Sequence, residues 1–215
     1  MSSQNLNNLS RALGFAVSAE SIIEKVQSVY TKLDEKLAQI PAELELPCKQ
    51  GCDACCHESV FLSAPEFLVV SEFILRTFSA DERNKLNTKM NELADAFEDE
   101  LELLETISAG AERDEVAARI KFRCPLLDED GSCRIYTVRE LNGRSFGHAW
   151  DSARDEAYGC SLTRERLRVL DNPKARLVDA RWARQALVDA VPNTECVQVY
   201  PWWFKNYGQF LLDED

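Results

Sequence analysis

The segment CKQGCDACC, residues 48–56, places four of the chain's eight cysteines within nine positions. A Cys-x2-Cys spacing can turn two thiolates back on one metal, with the intervening backbone N–H groups aimed at the sulfurs. Cys48, Cys52 and Cys55 can therefore supply three thiolates from one loop. Cys56 is harder to place, because adjacent side chains diverge. Either it turns into the core, or it reaches a second metal, or the site is a cluster broad enough to take both. Cys124 and Cys133 form a second group, while Cys160 and Cys196 stand alone. His57 directly follows the loop and His148 precedes Cys160, so each is a candidate ligand beside a plain surface or hydrogen-bonded role. Lone cysteines often only fill a core, and that is the reading for Cys196. Four reduced, uncoordinated thiols in nine polar-flanked positions would be an oxidation hazard. Metal binding is the expectation for the loop, ahead of redox thiols or inert cysteines.

Zinc takes four tetrahedral ligands from almost any loop that supplies them. Six or seven cysteines exceed the needs of one zinc ion, although two zinc sites would fit. A [4Fe–4S] cluster takes four thiolates on four separate irons. Three from residues 48–56 and one from Cys124, Cys133 or Cys160 would serve it. Adjacent Cys55 and Cys56 suit an extended cluster better than a single ion. The reading favours iron–sulfur, with zinc as the alternative.

The elements that must position these residues read as helical. Val26, Tyr30, Leu33, Leu37 and Ile40 mark an amphipathic helix over residues 18–40. Ser63–Glu66 and Ser79–Glu82 are Ser-x-x-Glu capping boxes that predict two further helices. The second runs long, with Leu86, Met90, Leu93, Phe97, Leu101 and Leu104 on one face, and Gly110 is expected to end it. Its acidic outer face reads as solvated. Residues 121–136, KFRCPLLDEDGSCRIY, read as a β-hairpin or tight turn with a cysteine on each arm. Asn172-Pro173 predicts a helix start, running to about Val191 before Pro192. The aromatic tail from Tyr200 is expected to dock on its own domain. The fold class is mainly α, one helical domain with one small β-hairpin and a cysteine-rich metal site. Three segments make up that domain: a helical stretch over 1–47, the cysteine core over 48–165, and a C-terminal helix and aromatic tail over 166–215.

Composition bounds the partners. The chain has 215 residues and a formal net charge of −12. That acidity argues against nucleic acid and against anionic membrane surfaces. No apolar run reaches the eighteen or so residues that span a bilayer. The run ALGFAVSA near the N-terminus is short and follows only Arg11, so a cytoplasmic protein is expected. There, eight cysteines point to metal ligands rather than disulfides.

The cysteine pattern resembles the YkgJ-type cysteine-cluster family, described as a zinc- or iron-chelating domain. That family shows a Cys-x(2,3)-Cys-x2-Cys-Cys run, then Cys-Pro-apolar-Leu, Gly-x-Cys-x-Ile-Tyr and Arg-Pro-Leu-x-Cys-Arg segments. Here the first run is Cys48, Cys52, Cys55 and Cys56. The second is Cys124-Pro125-Leu126-Leu127, and the third is Gly131-Ser132-Cys133-Arg134-Ile135-Tyr136. The fourth reads Arg139-Glu140-Leu141-Asn142-Gly143-Arg144, with glycine where the family has cysteine. The resemblance covers about residues 48–146. It implies metal ligation by Cys48, Cys52, Cys55, Cys56, Cys124 and Cys133; for the cysteine missing at Gly143, either Cys160 substitutes, arriving through the loop before it, or the site has one thiolate fewer.

Family members include flagellin lysine N-methylases associated with an iron–sulfur centre, which implies a methyl-transfer-like role on a protein, or a redox role. Arg139 and Arg144 would then hold an anionic group or tune the cluster's charge, with ion pairing to nearby carboxylates as their plainer role. The chain has no G-x-G-x-x-G nucleotide loop. Its Cys48-x3-Cys52-x2-Cys55 spacing matches the radical-enzyme loop, but no βα repeats could build the barrel such enzymes use. The competing class is a zinc-stapled interaction module or metallochaperone without catalysis, and neither class names a catalytic residue.

Overall fold

Ser18 caps a helix whose Val26, Tyr30 and Leu33, spaced four and three apart, need a single buried stripe, and all three lie in the core. The structure, a computed structural model, describes residues 2–49, 51–108 and 110–213. Its helices in chain order are α1 (Ser2–Ala12), α2 (Ala19–Leu37), α3 (Ala64–Thr77), α4 (Ala80–Ala96), α5 (Glu98–Thr106), α6 (Ala111–Ala117), α7 (Leu141–Ser145), α8 (Ser161–Arg168), α9 (Ala180–Ala190) and α10 (Tyr200–Tyr207). Among the described residues five short strands accompany them: β1 (Phe61–Ser63), β2 (Ala149–Asp151), β3 (Glu156–Tyr158), β4 (Val178–Asp179) and β5 (Val197–Val199). The fold is mainly α, as expected, with two small sheets.

Both capping boxes form. Glu66 accepts from the Ser63 backbone N–H at 2.9 Å, and Glu82 from that of Ser79 at 2.8 Å. α3 packs against α1 and α2, and α10 packs against α4. The aromatic tail docks at this junction, as its composition suggests. Trp203 is fully buried, stacks on Phe67 with ring centroids 5.2 Å apart, and donates its indole N–H to the carbonyls of Leu62 and Gln198.

Three expected elements differ. The long helix of residues 80–110 breaks at Phe97, whose backbone (φ −121°, ψ 31°) leaves the helical region. The break swings Leu101 and Leu104 into a second apolar cluster with Val116, Ile120 and Val199. Helix α5 then stops at Thr106, so Gly110 precedes α6 instead of ending a helix. Pro173 starts only a 3-10 turn, because β4 pairs parallel with β2 and delays the helix to Ala180, capped by Asp179. Of the two readings of residues 121–136, the tight turn is the one that forms, closed by a single bridge between Leu127 and Cys133. The β-hairpin lies further on, where β2 and β3 pair antiparallel from Ala149–Tyr158 to Asp151–Glu156.

Candidate metal centre

Between Pro47 and β1 the chain makes successive tight turns. The N–H of Cys52 bonds the carbonyl of Lys49 at 3.0 Å, and that of Cys56 bonds Asp53 at 2.8 Å. Gly51 supplies the left-handed turn this needs, at φ +86°. The loop thus folds its own cysteines toward one another. The β2–β3 hairpin brings up the rest. Pairing at its base sets the Gly147 N–H on the Tyr158 carbonyl at 2.8 Å, so residues 146–148 lie beside residues 158–160. Cys48 meets this base directly, its thiol donating to the Phe146 carbonyl at 3.3 Å.

Two glycines permit that approach. A Cβ on Gly147, which sits at φ +89°, would stand 2.7 Å from Cys48 Cβ and 2.9 Å from its sulfur. A Cβ on Gly159 would stand 3.0 Å from the Thr163 side chain and 3.2 Å from Gly147 Cα. Thr163 is fully buried on α8, and its hydroxyl lies 3.9 Å from the sulfur of Cys160, the residue that caps that helix. Gly147, Gly159 and Thr163 allow the close approach around Cys48 and Cys160, and the cysteine pattern does not reveal them. The paired signals FGH and YGC on either side of the hairpin could have found them.

Electrostatics group the thiols. Burial, with the neighbouring Cys55 and Cys52, pushes the Cys48 thiol up to about 11, and Cys160 adds to that rise. Cys48, Cys52, Cys55 and Cys160 therefore share one neighbourhood. Cys55 is pushed well above the ordinary thiol range, first by its hydrogen bond to Cys56 and then by burial. Cys124 is raised to about 12 by burial, with smaller contributions from Cys133 and Glu140, and burial also raises Cys133. This second group joins the loop through the Cys124 N–H, which bonds the Cys56 carbonyl at 2.8 Å. Cys196 is exposed, and no other cysteine contributes to its shift.

The two arginines part company. Arg139 stacks on Tyr136 with its guanidinium 3.8 Å from the ring centroid and donates to the Tyr136 carbonyl at 3.3 Å. Its charge opposes the rise at Cys48, Cys55 and Cys133. Arg144 is taken up elsewhere in a buried clamp: Asp34 at 2.6 Å, the Arg139 carbonyl at 2.7 Å, the Thr137 carbonyl, and the Tyr30 ring 4.3 Å away. The histidines differ as well. His57 is exposed and sits 3.6 Å from Asp53. His148 lies near the carbonyls of Cys48 and Phe146, is lowered by burial, and has a buried Nδ1 without a hydrogen-bond partner.

Position 143 is closed to the cysteine that the family pattern carries there. A Cβ on Gly143 would fall 2.4 Å from Glu140 Oε1. That carboxylate is fixed in place, accepting from the Gly143 N–H at 3.1 Å and from the buried Tyr200 hydroxyl at 2.6 Å.

The donor set suits a cationic metal centre. Thiols gathered in a partly buried space cannot all ionise without a counter-charge, and a metal supplies it. The glycine cradle at Cys48 and the orphaned Nδ1 of His148 point to the same place. Among the described residues, no three His, Cys, Asp or Glu side chains converge closely enough to hold one metal ion. The thiols are neighbours, spread around a volume instead of meeting at a point.

A family model matches residues 47–161, just over half of the chain: CxxCxxCC, "Putative zinc- or iron-chelating domain". The chain belongs to this cysteine-cluster family, with three residues instead of two between its first pair of cysteines. No curated protein and no solved structure matches the chain.

Proposed function

We propose that this zinc- or iron-chelating domain carries an iron–sulfur cluster of the [4Fe–4S] kind, held by Cys48, Cys52, Cys55 and Cys160, and that its role is redox. One observation carries the ligand set. Cys52, Cys55 and Cys160 each add to the rise of the Cys48 thiol, a set of four cysteines from two separate segments of the chain. Zinc needs its ligands within ~2.3 Å of one point, whereas a cuboidal cluster spreads four thiolates over four irons. When bound, the cluster supplies one-electron chemistry. Cys160 takes the place left by Gly143, and Gly147, Gly159 and Thr163 bring it beside Cys48. Arg139 offsets the negative charge that thiolate ligation adds. Cys56, Cys124 and Cys133 remain as a half-buried thiol group, joined to the loop by the Cys124 N–H on the Cys56 carbonyl.

A redox role is the reading of the two that needs no substrate space beside the thiols. A cleft of about 380 Å³ lies between the helices of the N-terminal half, lined by Leu6, Glu20, Ile23, Glu24, Glu72 and Arg76 among others, and no cysteine lines it. A methyl donor and an acceptor side chain would both need room at the centre. The test is purification without oxygen, with iron, zinc, acid-labile sulfide and the visible spectrum read on one sample. About four irons and four sulfides per chain, with a broad band near ~400 nm, support the reading. A colourless protein with stoichiometric zinc overturns it and restores the structural, non-catalytic alternative.

A further inference from the structure

The residue that caps α7 is longer than a helix cap needs to be. Ordinary caps are Ser, Thr, Asp and Asn, whose short side chains reach an N–H two or three residues on. Glu140 does the same by folding its carboxylate back onto the Gly143 N–H at 3.1 Å. Its Oε1 then fills the space that a Cβ on residue 143 would need. The next neighbours of that Cβ, Glu140 Cδ and Arg139 Cβ, lie at 3.3 Å and 3.6 Å. Gly143 does not have a left-handed backbone, so a side chain is barred there by Glu140 and not by strain.

Glu140 is held where it stands. It is buried, and its second oxygen accepts from the Tyr200 hydroxyl at 2.6 Å. The start of α7 is fixed to α3, because the Leu141 N–H bonds the buried Glu66 carboxylate at 2.7 Å. The closed position lies among the thiols. Phe146, three residues on, accepts from the Cys48 thiol at 3.3 Å. Arg139, beside the barred space, acts by its charge on Cys48, Cys55 and Cys133, and Glu140 acts on Cys124 and Cys133. We infer that Glu140 is the positioning residue that decides which cysteine completes the centre: it closes position 143 and leaves that place to Cys160. The inference rests on the assignment of Cys160 to the centre in the reading above. Since the bar is occupied space, a shorter cap should lift it.

The test is a loss and a rescue in the full chain, purified without oxygen. Iron, zinc, acid-labile sulfide, the visible spectrum and circular dichroism are read on each variant. Cys160→Ser is expected to lose the metal and the visible band. Gly143→Cys added to it should restore neither, because Glu140 still fills the space. Glu140→Ser added to both should restore both, with a cap of ordinary reach in place. Tyr200→Phe accompanies it, so that no buried hydroxyl is left without its acceptor. Glu140→Asn, a second short cap, repeats the opening independently. The same caps without Gly143→Cys should restore nothing.

Metal restored by Gly143→Cys beside the native Glu140 overturns the inference, because position 143 would then be open already. So does failure of both opened variants to regain metal while their circular dichroism stays helical. Metal kept by Cys160→Ser removes Cys160 from the ligand set, and the inference falls with that assignment. The same loss and rescue read on zinc, with no iron or sulfide, overturns the iron–sulfur reading and leaves the role of Glu140 standing.

Discussion

Around Trp203 the chain is held by helices packed side on; around Cys48 it is held by loops. The first region buries Trp203, Phe67 and Phe204 completely and joins α3, α4 and α10 through stacked rings. The second is built from tight turns, glycines that allow close backbone approach, and thiols that are only partly covered. Close-packed apolar surface stabilises the first without help. The second brings like-acting thiols together and gains its stability when a metal is bound. The fold and the site are expected to be separable in energy though continuous in chain, so that each side of the comparison can be broken alone.

The largest effect belongs to the apolar side. Trp203→Ala removes a fully buried ring and leaves the Leu62 and Gln198 carbonyls without their shared donor. A loss of about 3–5 kcal/mol is expected, read as an earlier urea midpoint in apo and metal-loaded protein alike. Cys52→Ala or Cys55→Ala should do the reverse, releasing the metal while the far-ultraviolet circular dichroism stays helical. Metal analysis beside the spectrum checks this; joint loss of metal and helix would mean that the two regions are not separable.

Gly147→Ala sharpens the boundary. It places a Cβ within 2.7 Å of Cys48 at a left-handed backbone position, and should cost about 1–3 kcal/mol while lowering metal content per chain. Metal content unchanged from the parent would remove the cradle from the account.

A smaller effect is confined to the helical side. Glu82 is held down to about 2 by its hydrogen bonds from Ser79 and by Arg134. A depressed carboxylate stabilises the fold above its unfolded value of roughly 4.3, and that contribution is lost as pH falls toward 2. Glu82→Gln should therefore flatten the decline of the urea midpoint between those limits and leave metal content at neutral pH unchanged. The smallest effect is expected from Cys196→Ala, which should keep both fold and metal, as metal assay and thermal melting will show.

The helical side was legible because its signals are local. The two capping boxes and the spacing of Val26, Tyr30 and Leu33 each act within a turn or two, and all appear where the chain places them. The break at Phe97 was not legible, since it answers to distant Val116 and Val199. The cysteine loop announced itself through residue type and spacing, and the family match over residues 47–161 agrees with that reading. Its geometry was hidden for a different reason. Gly159, next to Cys160, comes beside Gly147 and Cys48 because a hairpin folds over residues 149–158, a stretch with little strand pattern of its own. Arg139 and Arg144 looked equivalent in sequence; the carboxylate of Asp34, more than a hundred residues away, separates them.

X-ray absorption at the iron and zinc edges of protein purified without oxygen tests the central claim most directly. The account predicts iron surrounded by sulfur with a second, metal–metal scattering shell, and loss of both in Cys52→Ala. Zinc with a single sulfur shell near ~2.3 Å and no metal–metal scattering would contradict it.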